Sequence, residues 1–329
     1  MQKFIFYLLL FISVSLFAKP SKAPAWVHDY KSMYPEKYFI VQRGRADTEE
    51  ESKTDAVAQI ARYFKTQVNA NLTTSLLSIT QDDKIIEETK VVSNVEVMSQ
   101  VELFSIEFTE TYYNKKEKKW YCVAFINREN AWNLYESQLK IAKSVFTNFY
   151  KKAESEKELF IQFLLYQQSL QKGKDFLEKL EYGLLLNYAK SKEYEDVKKQ
   201  ISIVPIKIQE CIGKTSIKLE ISGDYGDIFK NTVINIFSKM GFVVSKNGLY
   251  ILKVVVKPNS TGSNPLSIQP SIDLSITNKN AKTLYSFNHK VQERTISYTL
   301  ENAQKKAYPI VAENLSKELK DTFKYYKEN

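Results

Sequence analysis

The sequence predicts an α+β protein: two domains, each a helix packed on an antiparallel sheet, joined by an α-helical hairpin segment. Apolar residues recur at helical spacing in some segments and alternate with polar residues in others. A length of 329 residues, 43% of them hydrophobic, is enough for two or three packed units. We therefore divide the chain into a leader at 1–18, an α/β domain at 19–127, a helical hairpin segment at 128–201 and a C-terminal α/β domain at 202–329.

The N-terminus has the order of a secretory signal peptide. A short positive end at 1–3 precedes an apolar run from Phe4 to Phe17, and Ala18 is a small residue at its end. The run is shorter than the roughly 20 residues of a spanning helix. We expect export, to the periplasm or the outer membrane if the source is bacterial, with cleavage after Ala18. Cleavage after Ala25 and retention of the run as an uncleaved anchor are the alternatives.

The chain is basic, with 47 Lys and Arg against 38 Asp and Glu and a formal net charge of +9. Outside the cytoplasm this excess favours approach to an anionic membrane or to acidic wall polymers. Export argues against nucleic acid as a partner. Solvated, lysine-rich faces are the alternative explanation of the charge.

The cysteine content does not indicate a disulfide framework, since an exported chain of this size has only Cys122 and Cys211. A bridge would need their Cα atoms within about 7 Å of each other. One bridge and two buried thiols both remain open. No cysteine lies near the end of the leader, so a lipid-modified N-terminus is not expected.

The first domain begins with a strand and a helix. Tyr38–Val41 is predicted to form a short strand, and Gly44 is predicted to lie where the chain turns. Thr48–Glu51 has the form of a capping box, in which a hydroxyl and a carboxylate satisfy free N–H groups at a helix start. The helix that follows carries an apolar face, formed by Ala56, Val57, Ile60, Ala61, Phe64, Val68 and Leu72.

A sheet is predicted to cover that face. Residues Val95–Leu103 alternate between apolar and polar, and the parity reverses at Leu103–Phe104, which predicts a bulge or a strand break. Asn114–Lys119 is predicted to be a charged hairpin tip. Trp120–Ile126 is apolar on both parities, so this strand should be buried on both faces.

Helical hairpins are predicted between residues 128 and 201. A heptad-like seam is formed by Trp132, Tyr135, Leu139, Ala142, Phe146 and Phe149. Phe160 and Phe163 keep the phase of this seam after a polar stretch at Glu154–Glu158. Gly173 is predicted to end a helix, and further helices are predicted at Leu177–Tyr188 and Tyr194–Ile201. The seam predicts packing within the chain, with a partner-binding coiled coil as the alternative.

The C-terminal domain combines four strand patterns with two helices. The predicted strands are Ile217–Ile221, Tyr250–Val256, Ile272–Ile276 and Tyr285–Val291. A helix from Phe229 to Met240 is predicted to end at Gly241, which is suited to a left-handed cap. Thr299 begins the last helix, which Pro309 is predicted to kink or to split because it removes one backbone donor.

A family resemblance covers about residues 24–135. Short motifs occur in the order Pro24–Val27, Pro35–Ile40, Gly44–Ala46, Val101–Leu103 and Trp120–Ala124. This order resembles the Lpp-twenty family of bacterial envelope lipoproteins and the related N-terminal domain of the flagellar assembly protein FlgT. The resemblance implies a helix on an antiparallel sheet, located outside the inner membrane, with a scaffolding role and no established catalysis. The chain departs from the family by lacking its lipid-accepting cysteine.

The C-terminal domain resembles, in the order of its strands and helices, the N-terminal domain of TolB and the periplasmic module of curli-secretion proteins. Such a likeness of fold does not by itself imply a function.

No catalytic, cofactor-binding or metal-binding residue is predicted. The chain has only His28 and His289, and no His/Cys cluster at metal-ligand spacing. Glycine-rich phosphate loops and the G-x-S-x-G nucleophile motif are absent. The carboxylates Glu49–Glu51, Asp224 and Asp227 are predicted to be ordinary helix-start residues. We therefore expect a protein that is not an enzyme.

These observations predict a non-enzymatic exported cell-envelope protein, a scaffolding or protein-binding component of an envelope assembly. A flagellar or secretion-associated role is implied by resemblance only. The expected partners are envelope proteins, with an anionic membrane or wall surface as a further possibility, and the oligomeric state stays open. The alternative is a periplasmic module that binds a small molecule or a cell-wall polymer.

Overall fold

A computed structural model describes residues 23–77 and 104–323. The chain divides into two compact units, one within residues 1–63 and 98–130 and the other within residues 64–97 and 131–329. Helices and sheets are both abundant, and the predicted α+β class is confirmed. Among the described helices, none combines the length and the apolar character needed to cross a membrane.

The first unit is built on an antiparallel sheet. Its elements are α1 (Ala25–Met33), β1 (Phe39–Ala46), the start of α2 (Glu49–Leu77), β2 (Glu107–Phe108), β3 (Tyr112–Asn114) and β4 (Lys119–Asn127). The strand order is β1-β4-β2, and β3 also pairs with β4. The predicted strand at Val95–Leu103, with its change of parity, lies outside the described residues.

The start of α2 follows the predicted capping box. The backbone N–H of Glu51 donates to Thr48 Oγ1 at 3.2 Å, and the N–H of Thr48 donates to Glu51 Oε2 at 3.2 Å. The predicted apolar face is buried, with Ile60, Phe64 and Val68 inaccessible to solvent. Local sequence therefore determines both where this helix begins and which face it buries.

The predicted turn at Gly44 is wrong, because Gly44 lies inside β1. A Cβ atom at this position would lie 2.0 Å from the carbonyl oxygen of Ser52 and 2.4 Å from the backbone nitrogen of Ala56. The glycine is required here because β1 and α2 approach each other backbone to backbone.

Strand β4 is buried on both faces, as predicted. Cys122, which pairs with Gly44, lies on the face that α2 covers. On the opposite face Tyr121 and Val123 pack with Trp26 of α1 in a second apolar cluster.

The second unit begins with a helical array. It contains the rest of α2 together with α3 (Arg128–Ser155), α4 (Leu159–Leu186), α5 (Tyr188–Ser191), a 3₁₀ turn (Lys192–Tyr194) and α6 (Glu195–Gly213). The predicted seam of α3 faces inward, and Trp132, Tyr135, Leu139 and Phe146 are buried. The polar stretch Glu154–Glu158 contains the end of α3 and the turn to α4, so Phe160 and Phe163 lie on a separate helix instead of continuing the seam of α3.

The predicted helix end at Gly173 is wrong, because α4 continues through it to Leu186. A Cβ atom at Gly173 would lie 3.0 Å from the side chain of Ile201 in α6 and 3.4 Å from that of Phe146 in α3. Gly173 therefore allows neighbouring helices to pack closely rather than capping its own.

The C-terminal part of the second unit contains two sheets. Its elements are β5 (Ser216–Ser222), α7 (Ile228–Lys239), β6 (Val243–Val244), β7 (Tyr250–Lys257), β8 (Ser260–Thr261), β9 (Leu266–Ile268), β10 (Ser271–Thr277), β11 (Thr283–Lys290), β12 (Thr295–Ser297) and α8 (Leu300–Thr322). The five-stranded sheet has the order β11-β10-β7-β5-β6, and the three-stranded sheet has the order β12-β9-β8.

The five-stranded sheet is mixed rather than antiparallel, which corrects the prediction. Strand β5 runs parallel to both β6 and β7, whereas β10 runs antiparallel to β7 and β11. Helix α7 lies between β5 and its neighbours in the chain, and such a crossover lets the next strand run in the same direction.

Helices α7 and α8 follow their predicted end signals. Gly241 has φ +89°, and the N–H of Phe242 donates to the carbonyl of Phe237, which closes the end of α7. Thr299 Oγ1 accepts from the N–H of Asn302 at the start of α8. Pro309 does not split α8, which is continuous through it, and the alternative of a kink stays a prediction. Pro309 lacks a backbone N–H, so one carbonyl in the preceding turn loses its helical donor. That turn is exposed, and water can donate to the carbonyl instead.

The helical array and the C-terminal sheet share one core within the second unit. Phe160 and Phe163 of α4 pack with Phe242 and with Phe323 at the end of α8, at ring-centroid distances of 5.2–6.3 Å. The predicted boundary between residues 201 and 202 falls inside α6. The division into a helical segment and a C-terminal domain stays a prediction.

Candidate protein-binding surface

Helix α3 carries apolar residues on two faces. Its inner face packs into the second unit, as described above. Its outer face exposes Leu134, Ile141 and Val145, whose exposed fractions are 53%, 64% and 37%. With Gln138 these residues follow helical spacing, so they form one continuous stripe along the helix. The two apolar faces of α3 are separate, with centres roughly 120° apart at 100° per residue. An exposed apolar stripe of this kind is a candidate contact surface, and the outer face has no neighbour among the described residues.

A groove runs beside this stripe, and we call it the α3–α4 groove. It encloses about 340 Å³ and is lined by Gln138, Ile141, Ala142 and Val145 of α3 and by Lys172, Asp175 and Lys179 of α4. One wall is thus mainly apolar and the other is charged. All of these residues belong to the second unit.

The charged wall of the groove is ordered by contacts along α4. Lys172 Nζ lies 3.2 Å from Asp175 Oδ2, and Gln171 Nε2 donates to Asp175 Oδ1 at 3.3 Å. The Lys179 ammonium has no ion pair with a described residue, and its backbone carbonyl accepts from Tyr135 Oη at 2.9 Å. The wall therefore presents more positive than negative charge.

The sequence analysis missed this stripe. The signal was present, because Leu134, Gln138, Ile141 and Val145 repeat the 4-3-4 spacing of a helical face. The stronger seam through Trp132 and its neighbours accounted for α3 as an amphipathic helix. Only the packing of α3 shows that the second stripe is left exposed.

The residues considered as candidates for catalysis or metal binding have ordinary structural roles. The Asp224 carboxylate accepts from the N–H groups of Phe229 and Lys230 at 3.2 and 3.0 Å, which confirms its predicted role at the start of α7. Asp227 lies 3.3 Å from Lys230 Nζ. His289 lies on β11, where its ring stacks on that of Phe287.

The remaining predicted helix-start carboxylates, Glu49–Glu51, occupy the first turn of α2, as expected. His28 lies in α1. Within the described ranges, no group of three or more His, Cys, Asp or Glu side chains could hold a metal ion.

Cys122 and Cys211 are both free and buried in this structure. Burial raises the pKa of the Cys122 thiol, and it raises the pKa of Cys211 to about 11. Thiols with a raised pKa are poor nucleophiles at neutral pH, because little thiolate is present. The Cys211 thiol contacts Gln162 Oε1 at 3.3 Å, a contact between α6 and α4.

A carboxylate–phenol pair links the α3–α4 turn to the C-terminal sheet. Tyr250 Oη donates to Glu158 Oε1 at 2.5 Å, and Asn278 Nδ2 donates to Glu158 Oε2 at 2.9 Å. These two donors lower the pKa of Glu158, while burial and the neighbouring carboxylate raise the pKa of Tyr250. The pair resists proton transfer from the phenol, so its geometry supports a structural role.

A second exposed surface lies at the predicted hairpin tip between β3 and β4, in the first unit. Its acidic residue, Glu117, forms an ion pair with Arg45 at 3.1 Å and accepts hydrogen bonds from Tyr121 Oη and Asn114 Nδ2. The exposed side chains of Lys115, Lys116 and Lys118 have no ion pair with a described residue. The tip therefore displays three positive charges. One acidic residue also lies beside the tip, because Asp47 forms an ion pair with Lys119.

The comparisons with known proteins give only weak structural likenesses. No protein-family model matches the chain, and no curated protein sequence matches it. Among solved structures, a secreted protein of Helicobacter pylori is similar over 87% of this chain and 97% of its own, with 14% identity and a TM-score of 0.36. A minor lipoprotein of Acinetobacter baumannii is similar over 35% of this chain and 98% of its own, with 15% identity and a TM-score of 0.25. Likenesses this low carry no argument about function, and the resemblances to the Lpp-twenty, FlgT, TolB and curli-secretion proteins are not confirmed.

Proposed function

We propose that this chain is a non-enzymatic, exported component of the bacterial cell envelope that binds another envelope protein through the α3–α4 groove. The observation that carries the proposal is the exposed apolar stripe of α3. The signal-peptide pattern of residues 1–18 supports export. A flagellar or secretion-associated assembly is the sharper version of this proposal, and only the sequence resemblance supports it.

The groove fits an amphipathic helix of the partner. A groove between two helices accepts apolar side chains spaced at i, i+3, i+4 and i+7, which is a common mode of peptide recognition. Burying a fully exposed aliphatic side chain contributes roughly 1.5–3 kcal/mol. Leu134, Ile141 and Val145 are 53%, 64% and 37% exposed, so each can contribute only a corresponding part of that free energy. The Lys179 ammonium, which has no ion pair with a described residue, favours acidic residues beside the apolar stripe of the partner helix.

The proposal is tested with a partner identified from envelope extracts and then purified. Binding to that partner is measured by titration calorimetry for the wild type, for Ile141→Asp in the groove and for Ile206→Asp on α6. Ile206 is a matched control because it is an isoleucine of similar exposure, 51% against 64%, outside the groove. We expect Ile141→Asp to weaken binding at least about tenfold, since a carboxylate would replace buried apolar surface, and Ile206→Asp to leave it unchanged. Equal binding by both variants would contradict the proposed site.

Binding to an anionic polymer or membrane surface is the second candidate function, and the hairpin tip favours it. Lys115, Lys116 and Lys118 project from one tight loop, where their charges add. Co-sedimentation with purified acidic wall polymer, and with vesicles of anionic or zwitterionic lipid, would test this function. Binding should fall with added salt and in a variant with all three lysines changed to glutamine. Binding that is insensitive to both changes would exclude the tip.

A further inference from the structure

Strand β12 (Thr295–Ser297) turns its one apolar residue, Ile296, to the exposed face of its sheet. Thr295 and Ser297 face inward, opposite Ile268 and Leu266 of β9, and Ser297 is buried. Ile296 faces outward and is 62% exposed, and Tyr298, which follows the end of the strand, is 80% exposed. A strand with one buried face normally turns its apolar side inward, because the side chains alternate with a period of two.

The outer face around β12 offers no apolar neighbour within the described residues. Ile296 lies opposite Ser267 of β9, and Ser267 lies opposite Thr261 of β8. The Arg294 guanidinium crosses this face and donates to Thr261 Oγ1 at 3.3 Å. Ile296 and Tyr298 therefore lie on a polar surface, where they bury little apolar area and contribute little to the folding free energy.

Strand β12 is also an edge strand. In the three-stranded sheet it pairs with β9 on one side, and no described strand pairs with its other side. Natural edges are protected by very short strands, by lysine or proline, or by a bulge. Strand β12 is short, at three residues, but it includes no lysine, no proline and no bulge. An edge that is both open and apolar on its outer face is suited to pairing with another strand.

We propose that β12 pairs with β12 of a second copy of this chain, antiparallel and around a twofold axis. The strand complements itself when Ser297 lies opposite Ser297 of the second copy. The pairing extends each strand by one residue to Tyr298, so Ile296 of each copy lies opposite Tyr298 of the other and two aromatic–β-branched pairs form on the outer face. Such cross-strand pairs are among the favourable ones in antiparallel sheets. Moving the twofold axis by one residue, to Ile296, would instead place Arg294 opposite Tyr298.

The pairing joins the two three-stranded sheets into one six-stranded sheet, in which the edge of β12 is paired in both copies. The same patch serves on both copies, as in other twofold dimers. The contact is short, so it predicts a reversible dimer that dissociates on dilution rather than an obligate one. This proposal does not depend on the α3–α4 groove, because β12 and the groove are separate surfaces of the second unit.

The dimer is tested with the mature chain by sedimentation velocity over a hundredfold range of concentration. We expect the mean mass of the wild type to rise toward that of a dimer. Ile296→Lys and Tyr298→Glu should stay monomeric at every concentration, since a charge would enter the pairing face. Ile310→Lys is the matched control, because Ile310 is 54% exposed on α8 and outside the pairing, and it should dimerise as the wild type does. Thermal melts of the variants, run in parallel, identify any loss of folding.

A cysteine at the twofold position gives a second, independent measurement. In Ser297→Cys the two cysteines of a dimer would lie opposite each other, with Cα atoms about 4.5–5.5 Å apart, within the range of a disulfide. Mild oxidation should therefore link this variant into dimers much faster than Asn280→Cys, which places an exposed cysteine in the β10–β11 turn. The native cysteines are buried and should not contribute. A wild type that remains monomeric, or equal cross-linking of the two cysteine variants, would overturn the proposal.

Discussion

At the scale of single residues, two glycines show how one residue type serves different purposes. Gly241 has a positive φ and ends α7, a local role that sequence context reveals. Gly44 lies within a strand and is needed because of residues in α2 that approach it in space. Its neighbours in the sequence suggest a turn, so its true role could not be inferred from them.

Gly44→Ala should destabilise the protein strongly. The new methyl group would lie 2.0 Å from the Ser52 carbonyl oxygen, so β1 and α2 would have to separate. Overpacking of this kind costs typically about 1–3 kcal/mol, and backbone atoms on both sides leave little room to adjust. Urea unfolding would measure the loss. Gly213→Ala is the matched control, because no atom lies within 4 Å of its Cβ position. Equal stability of the two variants would show that β1 and α2 are not in close contact.

The Glu158–Tyr250 pair predicts an acid dependence of stability. Hydrogen bonds from Tyr250 and Asn278 lower the pKa of Glu158 from its ordinary value of 4.5. A carboxyl with a lowered pKa in the folded state stabilises the fold above about pH 4.5, and this contribution is lost as the pH falls through the folded-state pKa. Glu158→Gln should therefore lose less stability than the wild type between pH 5 and pH 3. Urea unfolding at several pH values would measure the two slopes.

The control for this experiment is Glu193→Gln, which removes one exposed carboxylate elsewhere on the second unit. If Glu158→Gln and the wild type lose stability in parallel, the hydrogen bonds to Glu158 do not hold its ionised form.

At the scale of elements, α3 separates residues that stabilise the fold from residues that are free to bind. Leu139 is buried on the inner face, whereas Ile141 is largely exposed only two positions further along. Both are aliphatic, and their spacing alone identifies two stripes without saying which one is covered. The covered stripe is the one that packs within the second unit.

Leu139→Ala should cost about 2–5 kcal/mol of folding free energy, because it leaves a cavity in a packed core. Ile141→Ser should change the folding free energy by less than about 0.5 kcal/mol, as is usual for exposed positions. Chemical denaturation of the two variants would compare these values directly. A large loss for Ile141→Ser would mean that the outer stripe of α3 serves folding, and the proposed binding surface would then lose its basis.

At the scale of the whole molecule, the proposed function depends on export of the chain from the cytoplasm. The apolar leader predicts export, and the proposed partners are envelope components. The two units provide separate exposed features: a basic hairpin tip in the first, and an apolar groove and an open strand edge in the second. The proposed binding functions use these separate surfaces, one in each unit for the tip and the groove.

Export predicts that the mature chain begins at Lys19 and fractionates with the cell envelope. N-terminal sequencing of the purified native protein and fractionation of cells would check both expectations. Deletion of residues 1–18 should retain the protein in the cytoplasm, because the leader directs translocation. Recovery of the full-length protein from the cytoplasm, with its first residue intact, would contradict the proposed location and function together.

The sequence by itself determined the features that local physics controls. The capping box at Thr48–Glu51, the buried face of α2, the hairpin tip at Asn114–Lys119 and the end of α7 at Gly241 each depend on residues a few positions apart. Backbone hydrogen bonding and apolar periodicity act over that range, so these predictions were confirmed.

Only the tertiary structure decided the features that depend on distant residues. The close contacts at Gly44 and Gly173, the parallel pairing of β5 with β7, and the exposed stripes of α3 and β12 all involve elements far apart in the chain. An apolar side chain is buried only if another element covers it, and a glycine is essential only if another backbone comes close. Both conditions are set by how the chain packs on itself.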